Sequence, residues 1–204
     1  KPDDITFQAT FSPVLSHKFN RGDGEVKTQN NPDWQEGVEH SDIYVNYVKP
    51  ALDLYLSKNF AHKQSLDVDA LGSYFNTKQQ MLNQQWTENK EQVLSDDDMR
   101  SKMNIYSLIA EADYSKEWEK GELDVGVDTW NKWSNYNIRN MMSGYEPSQY
   151  SSGINIHTVY AQYMNKIGNL TYRIGVKSTW RRQSYEDITY NSHYILPLLN
   201  LSYK

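Results

Sequence analysis

Strict alternation of apolar and polar residues is the feature that most constrains how this chain can fold. In NLTYRIGVKSTW (169–180), every even-numbered position except Ser178 is apolar or aromatic, whereas the odd-numbered positions carry Thr, Arg, Gly and Lys. Successive side chains of a strand point to opposite faces, so this segment predicts a strand with one apolar face and one polar face. That apolar face must meet either the core of a soluble β-sandwich or lipid.

The same period of two recurs along the whole chain. It is clearest in ITFQATFS (5–12), LDVDALGSYFNT (66–77), NIYSLIAEADYSK (104–116) and LDVGVDTWNKW (123–133). In INIHTVYAQYMNK (154–166) the apolar parity changes after Ile156, which predicts a β-bulge. No segment has the apolar stripe of an amphipathic helix, and the polar segment Asn76–Lys102 is predicted to be a loop. We predict an all-β fold, an antiparallel up-and-down meander of about eight long strands, in one segment spanning residues 1–204.

The predicted connections alternate between short and long. Short turns are expected near Ala61–Ser65, Glu117–Glu122 and Lys166–Asn169, and long polar loops at 13–37, 79–102, 137–152 and 181–192. Short periplasmic turns alternating with long external loops are typical of outer-membrane barrels. Strands of about ten to thirteen residues, as predicted here, are long enough to cross a bilayer. The connections therefore favour a barrel wall over a soluble sandwich.

Composition excludes several other classes of protein. The net charge of −5 argues against a nucleic-acid partner, and the absence of cysteine excludes disulfides and thiolate metal sites. The chain has 16 Tyr and 6 Trp but only 5 Phe, and rings with a polar tip suit half-wet surfaces and membrane interfaces. No apolar run approaches the roughly 20 residues of a membrane-spanning helix, which excludes helical membrane proteins.

Five aromatic residues surround one predicted long loop and are the candidate ligand-binding side chains. They are Trp130, Trp133, Tyr136, Tyr145 and Tyr150. Their rings could stack on a sugar or pack against a partner. Equally, they could form an interfacial aromatic belt together with loop packing, which is the interpretation we favour.

Charged residues lie on the predicted polar faces. Glu111 and Asp113 belong to an acidic first half, whereas Arg173 and Lys177 belong to a later, basic strand. In a barrel these four side chains would face the lumen and could orient a polar substrate, although cross-strand charge pairing explains them without a ligand. No carboxylate pair is marked as catalytic, and the five histidines lack metal-ligand spacing. We therefore expect no catalytic residues, no metal and no cofactor.

The chain contains YSLIAEADYSKEWEKGELDVGVDTW (106–130), INIHTVYAQYMNKIGNLTYRIGVKSTW (154–180) and YILPLLNLSYK (194–204). These segments resemble the barrel of TonB-dependent-receptor-like outer membrane proteins of Bacteroidetes. The matching pieces are Val159–Tyr163, Tyr172–Lys177 and Leu196–Tyr203, and Pro50–Phe75 resembles a hairpin of the same family. The resemblance implies a receptor or transporter of the bacterial outer membrane that takes up a ligand with energy passed on by TonB. The implied partners are outer-membrane lipid, the remainder of the barrel with its plug domain, and the TonB complex.

The chain carries no plug domain and ends on Lys204, so we expect a segment from the middle of a barrel wall. Such a segment has two open edges and should roll up, dimerise or pair its edges with other copies. Two alternatives remain open. One is a secreted soluble β-sandwich that binds glycans through its Trp- and Tyr-rich loops, and the other is a complete small barrel of eight strands.

Overall fold

The computed structural model describes residues 4–30, 33–141 and 146–203. These residues form eight strands: β1 (Ile5–Asn30), β2 (Asp33–Phe60), β3 (Gln64–Thr87), β4 (Val93–Glu117), β5 (Gly121–Asn140), β6 (Ser148–Ile167), β7 (Leu170–Tyr185) and β8 (Ile188–Tyr203). Each strand pairs antiparallel with the next, in the order β1 to β8. The predicted all-β up-and-down meander is confirmed. None of the described residues belongs to a helix long and apolar enough to cross a membrane.

The eight strands form one open sheet without a core. Among the described residues there is no second sheet, and β1 does not pair with β8. No large hydrophobic side chain in this part of the chain is buried, and the accessible surface is 14382 Å². A compact monomer of this mass would expose about 9,900 Å². The fold is therefore neither a two-sheet sandwich nor a closed barrel of eight strands.

Tight turns join the strands at one end of the sheet, as predicted. The connections lie at 61–63 between β2 and β3, at 118–120 between β4 and β5, and at 168–169 between β6 and β7. His62 and Lys63 have φ of 63° and 55°, and Gly168 has φ of 60°. The connection at 168–169 has two residues and the connection at 61–63 has three. Positive φ in these short hairpin connections fits the twist of the flanking strands.

The predicted long loops are wrong, because most of their residues continue the strands. β1 and β2 pair without interruption from Ile5↔Lys58 to Asn30↔Asp33. The predicted loop Asn76–Lys102 is reduced to residues 88–92 between β3 and β4, and β5 through β8 are extended in the same way. The strands consequently have 16 to 28 residues, more than the predicted ten to thirteen.

Polar side chains on both faces explain this error. A β-ladder is held by backbone hydrogen bonds and does not require an apolar alternation. In the former loop region the cross-strand pairs are polar: Asn76 Nδ2 donates to Asn104 Oδ1 at 2.6 Å, and Gln80 Nε2 donates to Asp98 Oδ1 at 3.0 Å. A strand of this kind lacks the hydrophobic period from which strands are predicted.

The predicted β-bulge in β6 is also wrong. The pairing of β6 with β5 and with β7 is continuous through Ile154 and Ile156. The change of parity instead places these two isoleucines on the face opposite to Val159. A register shift occurs at another position, between Gln85 and Trp86 of β3.

Candidate functional site

One face of the sheet carries a continuous apolar band that crosses all eight strands, and we call it the apolar face. The strand register aligns its side chains from one strand to the next, as where Phe7 faces Leu56 and Leu56 faces Val68. The band consists of Ile5, Phe7, Ala9, Phe11, Leu15, Leu52, Leu54, Leu56, Leu66, Val68, Ala70, Leu108, Ala110, Ala112, Leu123, Val125, Val127, Val159, Ala161, Leu170, Ile174, Val176, Ile195, Leu199 and Leu201. Phe7 is 67% exposed, and an apolar surface this extensive marks a contact with something other than water.

Along β1, the height of the band matches the hydrocarbon core of a membrane. In β1 it runs from Ile5 to Leu15, which is roughly 35 Å along a strand. At the strand tilt of about 45° found in membrane barrels, this length corresponds to a band about 25 Å tall. Outer-membrane barrels carry an outward apolar band of this height.

Aromatic side chains border the band at both ends of the strands. The turn-side belt consists of Trp118, Tyr163 and Tyr172, and the far belt consists of Phe19, Tyr44, Tyr74, Tyr106, Trp133, Trp180 and His193. Tyr163 lies 6.3 Å from Trp118 in an edge-to-face arrangement, and Tyr74 lies 4.8 Å from Tyr106 between ring centroids. Two such belts on either side of an apolar band are what two membrane–water interfaces require.

The opposite face, which we call the polar face, carries mainly Thr, Ser, Gln and charged side chains. Exposed apolar residues interrupt it, among them Leu71, Ile109, Leu196 and Leu198. All four predicted lumen-facing charges lie on it, Glu111 and Asp113 on β4 and Arg173 and Lys177 on β7. Because β5 and β6 separate these two strands, the acidic pair and the basic pair are not brought together. Their role toward a lumen stays a prediction.

Carboxylates face one another across three strands of the polar face. Asp67 lies opposite Asp113, and Glu111 lies opposite both Asp69 and Asp128. Directly opposed like charges destabilise a sheet. Within the described part of the chain, none of these five carboxylates has a basic side chain within ion-pair distance.

A glycine allows one tyrosine to reach across a neighbouring strand on this face. Tyr160 of β6 lies directly opposite Gly126 of β5, and its hydroxyl donates to Asp113 Oδ1 of β4 at 2.5 Å. A Cβ atom at position 126 would overlap both the ring of Tyr160 and the Asp113 carboxylate. Sequence reasoning missed this three-strand contact, because an isolated glycine in a strand does not identify its neighbours.

The five predicted ligand-binding aromatics do not surround a loop. Trp130, Trp133 and Tyr136 lie within β5 and Tyr150 lies within β6, because these strands extend through most of the predicted loop. Tyr145 lies outside the described residues. Trp133 belongs to the apolar face, whereas Trp130, Tyr136 and Tyr150 belong to the polar face. The described four therefore do not form one surface.

Tyr136 and Tyr150 do come together, and a third ring joins them. Their centroids are 4.7 Å apart with nearly parallel planes, and Tyr185 lies 6.1 Å from Tyr150. Tyr136, Tyr185, Tyr190 and Ser134 line a groove of about 420 Å³ on the polar face. Tyr185 and Tyr190 were missed because they fall in the predicted loop 181–192.

An ion-pair cluster lies on the apolar side of the sheet, beyond the far belt, where β1 and β2 extend. Arg21 Nε and Nη2 donate to the two oxygens of Asp42 at 2.8 and 3.0 Å. His40 lies between two carboxylates, with Nδ1 at 2.5 Å from Asp23 Oδ1 and Nε2 at 3.3 Å from Asp42 Oδ1. The hydrogen bond with Asp23 raises the pKa of His40, and the hydrogen bond from Arg21 lowers the pKa of Asp42.

Comparison with known proteins gives structural neighbours only. No family model and no curated protein matches the chain. Among solved structures it is similar to the ferric citrate transporter FecA in the unliganded form, with 14% identity and a TM-score of 0.40 over 98% of this chain and 42% of that one.

Two further structures give comparable values. The alcaligin outer membrane receptor FauA from Bordetella pertussis has 13% identity and a TM-score of 0.43, over 98% of this chain and 41% of that one. The copper transporter OprC has 9% identity and a TM-score of 0.43, over 100% and 43%. The chain thus spans about two fifths of the length of these proteins. At these scores the likeness supports no conclusion about function.

Proposed function

We propose that this chain forms part of the wall of an outer-membrane β-barrel, in a receptor or transporter of the TonB-dependent-receptor-like kind. The observation that carries the proposal is the apolar band with its two aromatic belts on one face of a sheet whose other face is polar. In a soluble protein such a band would be covered by a second layer, and the described residues supply none. Lipid is the surrounding that suits an uncovered apolar face.

The two ends of the sheet fix its orientation in this proposal. The long strand extensions beyond the far belt correspond to the external side of bacterial barrels, and the turns beside the turn-side belt then correspond to the periplasmic side. The extensions carry this assignment, because the turn at 186–187 on the far side is also short. The polar face then borders the lumen. The open edges of β1 and β8 pair with further strands of the same barrel, which removes the hazard of an unpaired edge. The plug domain and the contact with the TonB complex belong to the remainder of that protein.

The ligand contacts proposed for this wall lie on its polar face. Tyr136 and Tyr150 present rings to the lumen on the external side, whereas Trp130 presents its ring to the lumen at the level of the apolar band. Tyr145, which lies outside the described residues, remains a candidate. Trp133 lies on the opposite face beside lipid, where an aromatic ring suits the interface better than a ligand site. The four lumen-facing charges, Glu111, Asp113, Arg173 and Lys177, would orient a polar ligand on its way past the wall. No catalytic step is proposed.

Size-exclusion chromatography with light scattering, with and without detergent, tests the proposal. We expect the chain to aggregate in buffer and to form a β-rich particle of defined mass in detergent, because the apolar face needs amphiphile around it. A folded monomer in plain buffer would contradict a membrane wall. In such a monomer, the sheet would have to fold over so that one part of its apolar face covers another part.

Single introduced thiols test which face borders lipid. The chain has no cysteine, so each substituted residue reports alone. In lipid vesicles we expect Ile174→Cys to be protected from a water-soluble maleimide and Lys177→Cys to react, because the two residues lie on opposite faces of β7. Equal labelling of both thiols would contradict the assignment of the apolar face to lipid.

A further inference from the structure

Beyond the far belt, the apolar face changes from aromatic to basic over a few rungs of β3, β4 and β5. The rungs run Tyr74–Tyr106–Trp133, then Asn76–Asn104–Asn135, then Lys78–Lys102–Asn137, then Gln80–Arg100–Arg139. We call Lys78, Lys102, Arg100 and Arg139 the basic patch. All four side chains are exposed. The patch therefore continues the membrane-facing surface outward.

Like charges face each other directly in this patch. Lys78 lies opposite Lys102, and Arg100 lies opposite Arg139. Such pairs are unfavourable unless an anion lies between them. Arg100 is held by Asp98, with Nη2 at 2.7 Å from Oδ2. In the described part of the chain, no carboxylate lies within ion-pair distance of the other three basic groups.

The patch surrounds a shallow depression that fits a small anionic group. Its volume is about 300 Å³, and Tyr44, Lys78, Lys102 and Arg139 are among its lining residues. Asn137 lines it as well and adds an amide. Ammonium and guanidinium groups that converge with an amide form the donor set that phosphate oxygens prefer.

The height of the patch indicates the source of that phosphate. Lys78 follows Tyr74 of the far belt by two rungs of the same strand. Two rungs correspond to roughly 13 Å along a strand, or roughly 10 Å along the membrane normal at barrel tilt. Because aromatic belts lie at the edge of the hydrocarbon, the basic groups reach the level of the lipid headgroups.

We infer that the basic patch is a docking surface for the phosphate-bearing headgroup of an anionic lipid. The inference rests on the proposed function, because the patch reaches a headgroup only if the apolar band spans the membrane. Charge complementarity and continuity with the apolar band carry it. Lys78, Lys102 and Arg139 supply the attraction, while the ion pair with Asp98 fixes the guanidinium of Arg100 beside them.

Native mass spectrometry of the full 204-residue chain in detergent tests the inference. The chain is mixed with equal amounts of diphosphoryl lipid A and phosphatidylcholine, and the retained lipid is identified. We expect a preference for lipid A that weakens as ionic strength rises, because exposed charges are screened. The triple variant Lys78→Gln/Lys102→Gln/Arg139→Gln should lose that preference by about tenfold or more.

A matched variant separates the patch from charge in general. Lys18→Gln/Lys49→Gln/Lys166→Gln removes three exposed basic groups from the polar face, and we expect it to retain the preference of the unmodified chain. An equal loss in both variants, an unchanged preference in the triple variant, or the absence of any preference for lipid A would overturn the inference. Displacement of lipid A by an equal concentration of inorganic phosphate would show that the patch binds free phosphate and not a lipid headgroup, which would overturn the inference.

Failure of the inference differs visibly from failure of the proposed function. A chain that enters detergent as a β-rich particle but binds both lipids equally would overturn only the headgroup site. A chain that stays folded and monomeric without detergent would overturn both. Circular dichroism of each variant checks its strand content, which we expect to be unchanged because the substituted side chains are exposed.

Discussion

Two halves of the same sheet, divided by the far belt, use one continuous set of strands in different ways. In the turn-side half, apolar residues alternate with polar ones, as in β5 from Leu123 to Val127. In the far half polar side chains occur on both faces, and pairs such as Arg21–Asp42 and Asn76–Asn104 join the strands. The backbone ladder is common to both halves. What differs is the surface that each half presents, which is apolar on one face in the turn-side half and largely polar in the far half. In the proposed barrel wall, the first half would meet lipid and the second would meet water.

The largest effect should follow from a charge placed in the apolar band. Val176→Arg puts a guanidinium midway between Tyr172 and Trp180 of the two belts on β7, and we expect it to reduce the free energy of unfolding in lipid by about 2–4 kcal/mol. Ser151→Arg, on the same face in the far half, should change it by less than about 1 kcal/mol. Urea unfolding in vesicles measures both. Equal costs would show that the two halves meet the same solvent.

The next effect should come from filling the space beside Tyr160. Gly126→Val would force the Tyr160 ring and the Asp113 carboxylate apart, so we expect a loss of about 1–3 kcal/mol in unfolding free energy. Gly72→Val is the control in the same half, because a Cβ there meets nothing within 4 Å. If both variants unfolded alike, the three-strand contact would contribute nothing to stability.

A smaller effect is expected at the border between the halves. Tyr106→Ala removes the ring that lies 4.8 Å from Tyr74, and we expect a loss of about 0.5–1.5 kcal/mol in the same unfolding measurement. Tyr190→Ala is a suitable comparison, since Tyr190 is 68% exposed on the polar face. A cost as large at Tyr190 would remove the special role of the far belt.

The smallest effect should be local and dependent on pH. The pKa of His40 is raised by its hydrogen bond with Asp23, and Asp42 and Arg21 also face it, with Gln84 opposite on β3. A raised pKa means that the stabilisation is full below the ordinary value of about 6.5 and is lost as pH rises through the higher folded value. We therefore expect amide hydrogen exchange at the far end of β1 and β2, once corrected for the intrinsic pH dependence of the exchange rate, to be slower at about pH 5.5 than at about pH 8.5. In His40→Gln this difference should disappear, and a difference that persisted would assign the effect to another group.

The turn-side half could be predicted from sequence, and the far half could not. Alternation such as that of Leu170–Val176 separates apolar from polar side chains. The position of the strand, the face of each side chain and the position of the turn could therefore be predicted from it. Gln79 and Arg100 belong to outer segments of β3 and β4 in which polar residues occupy both faces without regular alternation. The sequence of such a segment does not distinguish a strand from a loop. For the same reason the aromatics of β5 were predicted to lie at a loop.

The candidate site residues were also predictable only in part. The parity of β4 and β7 predicted correctly that Glu111 and Arg173 share a face with their charged neighbours. The contact of Tyr160 with Asp113 depends on the register of three strands, and the meeting of Tyr150 with Tyr185 depends on strand extensions. Neither quantity is contained in the local pattern of one segment.

Strand β1 begins and strand β8 ends at the same end of the sheet, the end that carries the turns at 61–63 and 168–169. Ile5 pairs with Lys58 close to the turn after Phe60, and Tyr203 pairs with Leu170 close to the turn at Gly168. A whole number of hairpins therefore separates the two points, and each hairpin returns the backbone to the side from which it started. Duplicating or deleting one hairpin would change the circumference of a barrel without inverting any other strand. This geometry makes the hairpin the natural unit by which such a wall can grow during evolution.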